Sequence, residues 1–242
     1  MKDIKLDILA VAAHPDDIEL GCSGTLMVHK RKGWKTGIID LTAGELGTRG
    51  TADSRRAEAE GAAKVMDLDV RENLQLPDGF FENTRSHQMA LIRMLRKYRP
   101  DIVLANAPED RHPDHGRAAQ LIYDSCFLSG LIKIETELDG HRQEAWRPRQ
   151  VFHYIQDRYL EPDFVVDITD VIAAKKEAIR CFKTQFMADP GEQLQTYIST
   201  PAFFNSVIQR AEMMGKMIGV PYGEGFITTK KLGVRYLDDL LL

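Results

Sequence analysis

Two short segments gather imidazole and carboxylate side chains on turns stiffened by proline: His14-Pro15-Asp16-Asp17 and His112-Pro113-Asp114-His115. Together they supply two nitrogen donors and one oxygen donor for an open zinc site. Zn²⁺ accepts neutral imidazole and carboxylate, and three protein ligands leave one position for water. We assign His14, Asp17 and His115 as the ligands. Asp16 is then free to take a proton from a water whose pKa the metal lowers toward ~7. His112 is placed to protonate a leaving group or to hydrogen-bond a developing oxyanion, and Asp114 to orient an imidazole from behind. One zinc per chain is the expectation; Fe²⁺ or another divalent ion also suits these donors, because affinity order and availability together decide occupancy.

The motifs need strand ends to stand on. Ile8-Leu-Ala-Val-Ala-Ala13 runs straight into His14 and reads as a fully buried strand, and Asp101-Ile-Val-Leu-Ala105, entered through Arg99-Pro100, ends shortly before His112. Residues 36–41 and, more weakly, 73–76 read as the second and third strands, with helical spacing at 19–32, 53–66 and 86–98. This alternation predicts an α/β fold, a doubly wound and mostly parallel sheet with helices on both faces. In the usual strand order, 3-2-1-4-5, strands one and four are neighbours at the switch point, so motifs far apart in the chain face each other. A lone polar turn of this kind seldom binds metal; two at adjacent strand ends make a site.

The second half is expected to contain strands at 150–154 and 164–167, a helix from 169 or 170 to about 183, and a late helix over 201–219. Asp167 and Thr169 are its candidate caps. No repeat or Gly/Ser linker divides the chain, so residues 1–242 read as one domain. The connections 42–51 and 106–116 exceed the roughly two to six residues usual between strand and helix, and the excess points to binding or catalysis.

Composition removes whole classes of function. Basic residues number 32 against 36 acidic ones, a net charge of -4, so no general positive field gathers nucleic acid. No stretch approaches the ~18 apolar residues of a membrane span. Cys22, Cys126 and Cys181 are too sparse for a disulfide scaffold or a cysteine-built zinc site. The start, Met1-Lys-Asp-Ile-Lys-Leu-Asp7, leads into no signal-like apolar region, and the chain reads as cytoplasmic. Fingerprints of nicotinamide enzymes, P-loop ATPases and serine hydrolases are missing.

A second informative segment, Glu45-Leu-Gly-Thr-Arg-Gly-Thr51, has glycines at 44, 47 and 50 that allow close backbone approach to a ligand. Arg49, with Arg55 and Arg56 at the next helix start, offers planar forks for carboxylate or phosphate. Leu76-Pro-Asp-Gly79 is a turn from which Asp78 is placed to meet a sugar hydroxyl. Met213, Met214 and Met217, with the apolar tail Leu240-Leu-Leu242, suggest core or subunit contact and a homo-oligomer.

At these residues the chain resembles the PIG-L/LmbE-like family of zinc-dependent N-acetylglucosamine deacetylases. The match covers Ala13-His-Pro-Asp-Asp17, the His112-x-x-His115 pair and the long connection between them, and its order extends over most of the chain. Within the family it looks most like the bacillithiol-biosynthesis deacetylases, through Gly44-Glu-Leu-Gly-Thr-Arg-Gly-Thr51, Leu76-Pro-Asp-Gly-Phe-Phe81 and Tyr222-Gly-Glu-Gly-Phe226. The resemblance implies a Rossmann-like fold, zinc on His14, Asp17 and His115, Asp16 as base and His112 stabilising the transition state. It implies removal of acetate from a malate-linked N-acetyl amino sugar, N-acetylglucosaminyl malate, and places Tyr197 as the family's mobile tyrosine near the metal. In one departure, Ile18 stands where the family's commoner motif has glutamate, with Glu19 following.

Three rivals stand beside this reading: an amidase or deacetylase of another amino sugar or thiol conjugate, a metal-dependent phosphoesterase using the same His/Asp cluster, and a flavodoxin-like binding module whose histidines merely line a cleft.

Overall fold

The apolar run at the start of the chain is buried on both faces. Strand β1 (Ile8–Ala12) sends Leu9 and Val11 into one core and Ile8, Ala10 and Ala12 into the other, as a two-residue repeat requires. The computed structural model describes residues 4–187 and 194–241. It places β1 inside a seven-stranded sheet with β2 (Thr36–Thr42), β3 (Val70–Leu76), β4 (Ile102–Ala105) and three later strands. A separate ribbon of β5 (Glu137–Leu138) and β6 (His141–Arg142) precedes those, which are β7 (Gln150–Tyr154), β8 (Phe164–Asp167) and β9 (Gly223–Thr228). The sheet order is β3-β2-β1-β4-β7-β9-β8. The first five run parallel; β9 is antiparallel to both neighbours. The reversal of strand order between β1 and β4 is the expected switch point.

Helices cover both faces, as expected of a doubly wound fold. Leu9 and Val11 meet Leu91, Leu95, Leu121 and Ile122 of α4 (Arg85–Tyr98) and α5 (Pro113–Leu128). Ile8 and Ala10 meet Ile18, Leu26 and Ala178 of α1 (Asp17–Gly21), α2 (Ser23–Arg31) and α6 (Ile172–Arg180). A third cluster joins Ala59 and Ala62 of α3 (Ala52–Val65) to Phe186 of α7 (Lys183–Phe186) and Val207 of α8 (Pro201–Met217). No helix among the described residues is long and apolar enough to cross a membrane.

Several expected boundaries are corrected. The single helix over 19–32 is two helices broken at Cys22, where the backbone leaves the helical region. The cause is distant in sequence: Glu224 on β9 accepts from the N–H groups of Gly24 and Thr25 at 2.9 and 2.7 Å, so α2 starts afresh on a buried carboxylate. Lys175 is 1% exposed and answers that charge at 2.8 Å, while donating to the carbonyls of Glu19 and Leu20 at 2.9 and 3.2 Å. The network holds α1, which carries Asp17, against α6. Replacing Lys175 by Met leaves Glu224 buried without its counter-charge, and is expected to cost about 3 kcal/mol of stability in urea unfolding. A loss below about 1 kcal/mol would show the network carries little.

Strand β3 begins at Val70 rather than 73, because Arg71 is polar only in sequence; it is neutralised by Asp40 at 2.9 Å and Glu19 at 2.6 Å. The expected helix from 169 is a 3-10 turn (Thr169–Val171), α6 and α7 in succession. The expected loop 106–116 ends earlier, since α5 already starts at Pro113 with His112 as its N-cap. Of the late methionines, Met214 is buried while Met213 and Met217 are exposed. Leu240 and Leu241 are exposed as well, and Leu242 and Met1 lie outside the described residues.

Candidate metal centre and active-site cleft

The carboxyl ends of β1 and β4 are tied together by one side chain. Asn106, the first polar residue after β4, accepts from the Ala13 N–H at 2.9 Å and donates to the Asp17 carboxylate at 3.1 Å. Gln156, beyond the end of β7, donates to the other Asp17 oxygen at 2.9 Å and takes a second Asn106 bond at 2.9 Å. The His14 N–H adds a third donor to Asp17 at 3.0 Å. Within the first motif, the chain turns through Asp16 with φ 118°, a value costly for any residue with a side chain. That strain sets Asp16 and Asp17 side by side on the cleft.

Around the fixed carboxylate stand the imidazoles. His14 Nδ1 lies 3.6 Å and His115 Nε2 lies 3.1 Å from Asp17 oxygens. Each ring is held from behind by carboxylates: His14 Nε2 by Asp78 at 3.0 Å and Asp114 at 3.2 Å, His115 Nδ1 by Asp110 at 2.5 Å. Asp114 is committed to this backing role, for it also receives the Gly79 N–H at 2.9 Å and the Arg117 guanidinium at 2.7 Å. One nitrogen toward a central carboxylate and the other on an acid is the arrangement that metal-binding histidines adopt. His14, His112 and His115 also bring one donor each within 4.8 Å of one another, as do His14, Asp78 and Asp114. The donor chemistry fits a divalent cation.

The electrostatics point the same way. Burial acts against the charged forms of His14 and His115, yet their acid partners prevail: His14 is held well above the ordinary imidazole value, and His115 rises to about 9 under the pull of Asp17. Asp17 is held well below the usual carboxylate range, His115 outweighing its burial. This cluster of acids calls for positive charge at its centre. Asp16 behaves differently; burial lifts it to about 7, with the Arg55 guanidinium opposing and Asp17 adding. Its Oδ2 accepts from Arg55 at 2.8 Å. His112 is pushed below the ordinary value by burial and by His14 and His115. Its Nδ1 accepts from the Asp114 N–H at 3.3 Å, which assigns the proton of the neutral ring to Nε2.

These residues line a cleft of about 380 Å³, together with Asp78, Asp157, Tyr197 and Arg210. Of the three arginines expected to meet substrate, only Arg55 lines the cleft. Arg49 spends its guanidinium on the carbonyls of Thr184, Leu194 and Met187 at 2.8–3.0 Å, stitching the 42–51 connection to the segment after α6. Arg56 is exposed and pairs with Asp53 at 2.9 Å, away from the cleft. Arg55 lines the cleft but is buried and bonded to Asp16 and the Pro15 carbonyl, so it positions the acid. Gly44, at φ 66°, lets this happen: a side chain there would meet Arg55 at 2.4 Å. Asp78 backs His14 and takes the Leu46 N–H at 2.9 Å rather than facing open solvent. Tyr197 sits exposed at the rim, its hydroxyl 3.1 Å from Asp157 and its ring 4.7 Å from the Arg111 guanidinium.

Sequence reasoning missed Asn106, Gln156, Asp110, Arg111 and Arg210. Asn106 carried a legible signal, as the first polar residue after a buried strand at the switch point. Gln156 and Arg210 carried none, because their place depends on how the second half folds over the sheet.

Comparison with known proteins agrees with this geometry. The PIG-L family model, described as GlcNAc-PI de-N-acetylase, matches residues 9–126. A diacetylchitobiose deacetylase of Thermococcus kodakarensis is 30% identical over 92% of this chain and 82% of its own. A probable N-acetyl-alpha-D-glucosaminyl L-malate deacetylase of Bacillus subtilis is 24% identical over 75% of this chain and 84% of its own. Among solved structures, the conserved protein TT1542 from Thermus thermophilus superposes with TM-score 0.84 and 35% identity, over 96% of this chain and 98% of that one. The motifs at the ends of β1 and β4, the fold that joins them and these relatives agree: the chain belongs to the PIG-L family and is a hydrolase that deacetylates N-acetyl amino sugars.

Proposed function

We propose that the protein hydrolyses the acetamide of N-acetylglucosaminyl malate, with a divalent ion, zinc by preference, held by His14, Asp17 and His115. The observation that carries the mechanism is Asp16: a buried acid lifted to about 7, fixed by Arg55 and lining the cleft beside that donor set. A cation bound there would polarise the amide carbonyl and make water nucleophilic near neutral pH. Asp16 accepts the proton of the attacking water as the new C–O bond forms. The neutral His112 presents its Nε2–H to the carbonyl oxygen as negative charge develops. Asp16 then passes its proton to the nitrogen while the C–N bond breaks, leaving acetate and the free amine. His14 and His115 are kept in orientation by Asp78, Asp114 and Asp110, so neither ring has to reorganise during the step.

The malate part of the reading is supported by the Bacillus relative and by the motifs at 44–51 and 222–226. Acetate release is measured from N-acetylglucosaminyl malate, N,N'-diacetylchitobiose and N-acetylglucosamine at equal concentration with the zinc-loaded protein. The expected result is a clear preference for the malate conjugate. Equal rates on the malate and chitobiose compounds would keep the deacetylase and remove the substrate.

A further inference from the structure

Three arginines line the cleft, Arg55, Arg111 and Arg210. The first two are committed. Arg55 is bonded to Asp16 and the Pro15 carbonyl, and Arg111 donates to Asp157 at 3.0 Å while stacking over Tyr197. Asp157 bonds Arg111 through one oxygen and the Tyr197 hydroxyl through the other, and makes no bond to Arg210. Among the described residues Arg210 has no hydrogen-bond or ion-pair partner within contact distance.

Its position is nevertheless fixed. Val207, Ala211 and Met214 on the same helix are buried, so the backbone that carries Arg210 is packed against the core. The side chain is partly buried, and burial lowers its proton affinity, opposed at longer range by Asp157 and Asp110. A guanidinium stays charged and presents five donors in a rigid fork. Held in a cleft by a packed helix and with no protein acceptor, those donors are left for water or for a ligand that enters the cleft.

We propose that Arg210 is the specificity-determining residue of the cleft, its guanidinium receiving a carboxylate carried by the substrate beyond the acetylated sugar. This rests on the malate reading above and names the residue that enforces it. Arg210 replaces Arg49, Arg55 and Arg56 as the anchor, and explains how a chain of net charge -4 can select an acidic substrate.

The test compares kcat/KM for N-acetylglucosaminyl malate and for N,N'-diacetylchitobiose in the wild type, Arg210→Met and Arg210→Lys, all at matched zinc content. The ratio of the two values is the readout. Losing the fork is expected to lower the preference for the malate compound roughly 10- to 100-fold, mainly through KM, with part restored by lysine. A ratio unmoved by Arg210→Met, whether both substrates suffer alike or neither does, overturns the proposal. Should Arg210→Met not fold, Arg210→Lys decides alone: a drop in the ratio supports the fork, an unchanged ratio refutes it. A wild type with no preference for the malate compound refutes the substrate reading, and with it the carboxylate assigned to Arg210.

Discussion

Asp16→Asn is expected to lower kcat for acetate release by roughly 10²- to 10⁴-fold while metal content and melting temperature stay close to the wild type. The size follows from what is removed. An amide cannot accept the water's proton, whereas the acid it replaces is lifted by burial to about 7, where it can both take and return a proton at neutral pH. Asparagine is the right replacement for structural reasons as well. At φ 118° the backbone of residue 16 is strained, and Asn tolerates positive φ better than most other residues. Its side-chain carbonyl can still accept from Arg55, which donates to Asp16 at 2.8 Å. Alanine would leave that buried guanidinium short of a partner and confuse loss of chemistry with loss of structure. Turnover within about threefold of the wild type at equal zinc content would remove Asp16 from the role of base.

How much of this was legible in the sequence depends on the range of the interaction. The strands β1 and β4 declare themselves because a buried parallel strand needs an unbroken apolar run, and residues 8–13 and 102–105 have one. Their adjacency follows from the doubly wound topology, and it brings His14, Asp17, His112, Asp114 and His115 together around one cleft. Strand β3 was harder to see. Arg71 and Glu72 look like loop residues until Asp40 of β2 and Glu19 of α1 are brought to Arg71 by the fold. The arginines failed for the opposite reason: spacing near a glycine-rich turn shows that a guanidinium is available, not which group claims it. Thr184, Met187 and Leu194, which claim Arg49, are far away in the chain. Asp110 escaped notice although it is five residues from His115, because the loop conformation that points it back at the ring is set by its bond to the Arg158 N–H at 2.7 Å.

Asp17→Asn is expected to do what Asp16→Asn does not, removing the bound metal and destabilising the fold in the same substitution. Both oxygens of Asp17 are acceptors for fixed donors. One receives the His14 N–H and the Asn106 amide, the other the Gln156 amide at 2.9 Å. An asparagine has one acceptor and one donor end, so either orientation of its amide turns an NH₂ against an NH₂ inside a buried network. A clash of that kind costs about 1–3 kcal/mol, beyond the loss of the negative charge that draws His14 and His115 together. The neighbouring acids Asp78, Asp110 and Asp114 are engaged behind the rings in the wild type. Zinc content after dialysis against the free ion, followed by thermal melting of the metal-free and loaded forms, separates the two effects. The wild type should melt higher when loaded, since an ion that binds only the folded state stabilises it by mass action, and the variant should melt at one temperature in both. Retention of one tightly held zinc by the variant would place the metal instead on one of the two donor groups that the cleft brings within reach, His14, His112 and His115 or His14, Asp78 and Asp114.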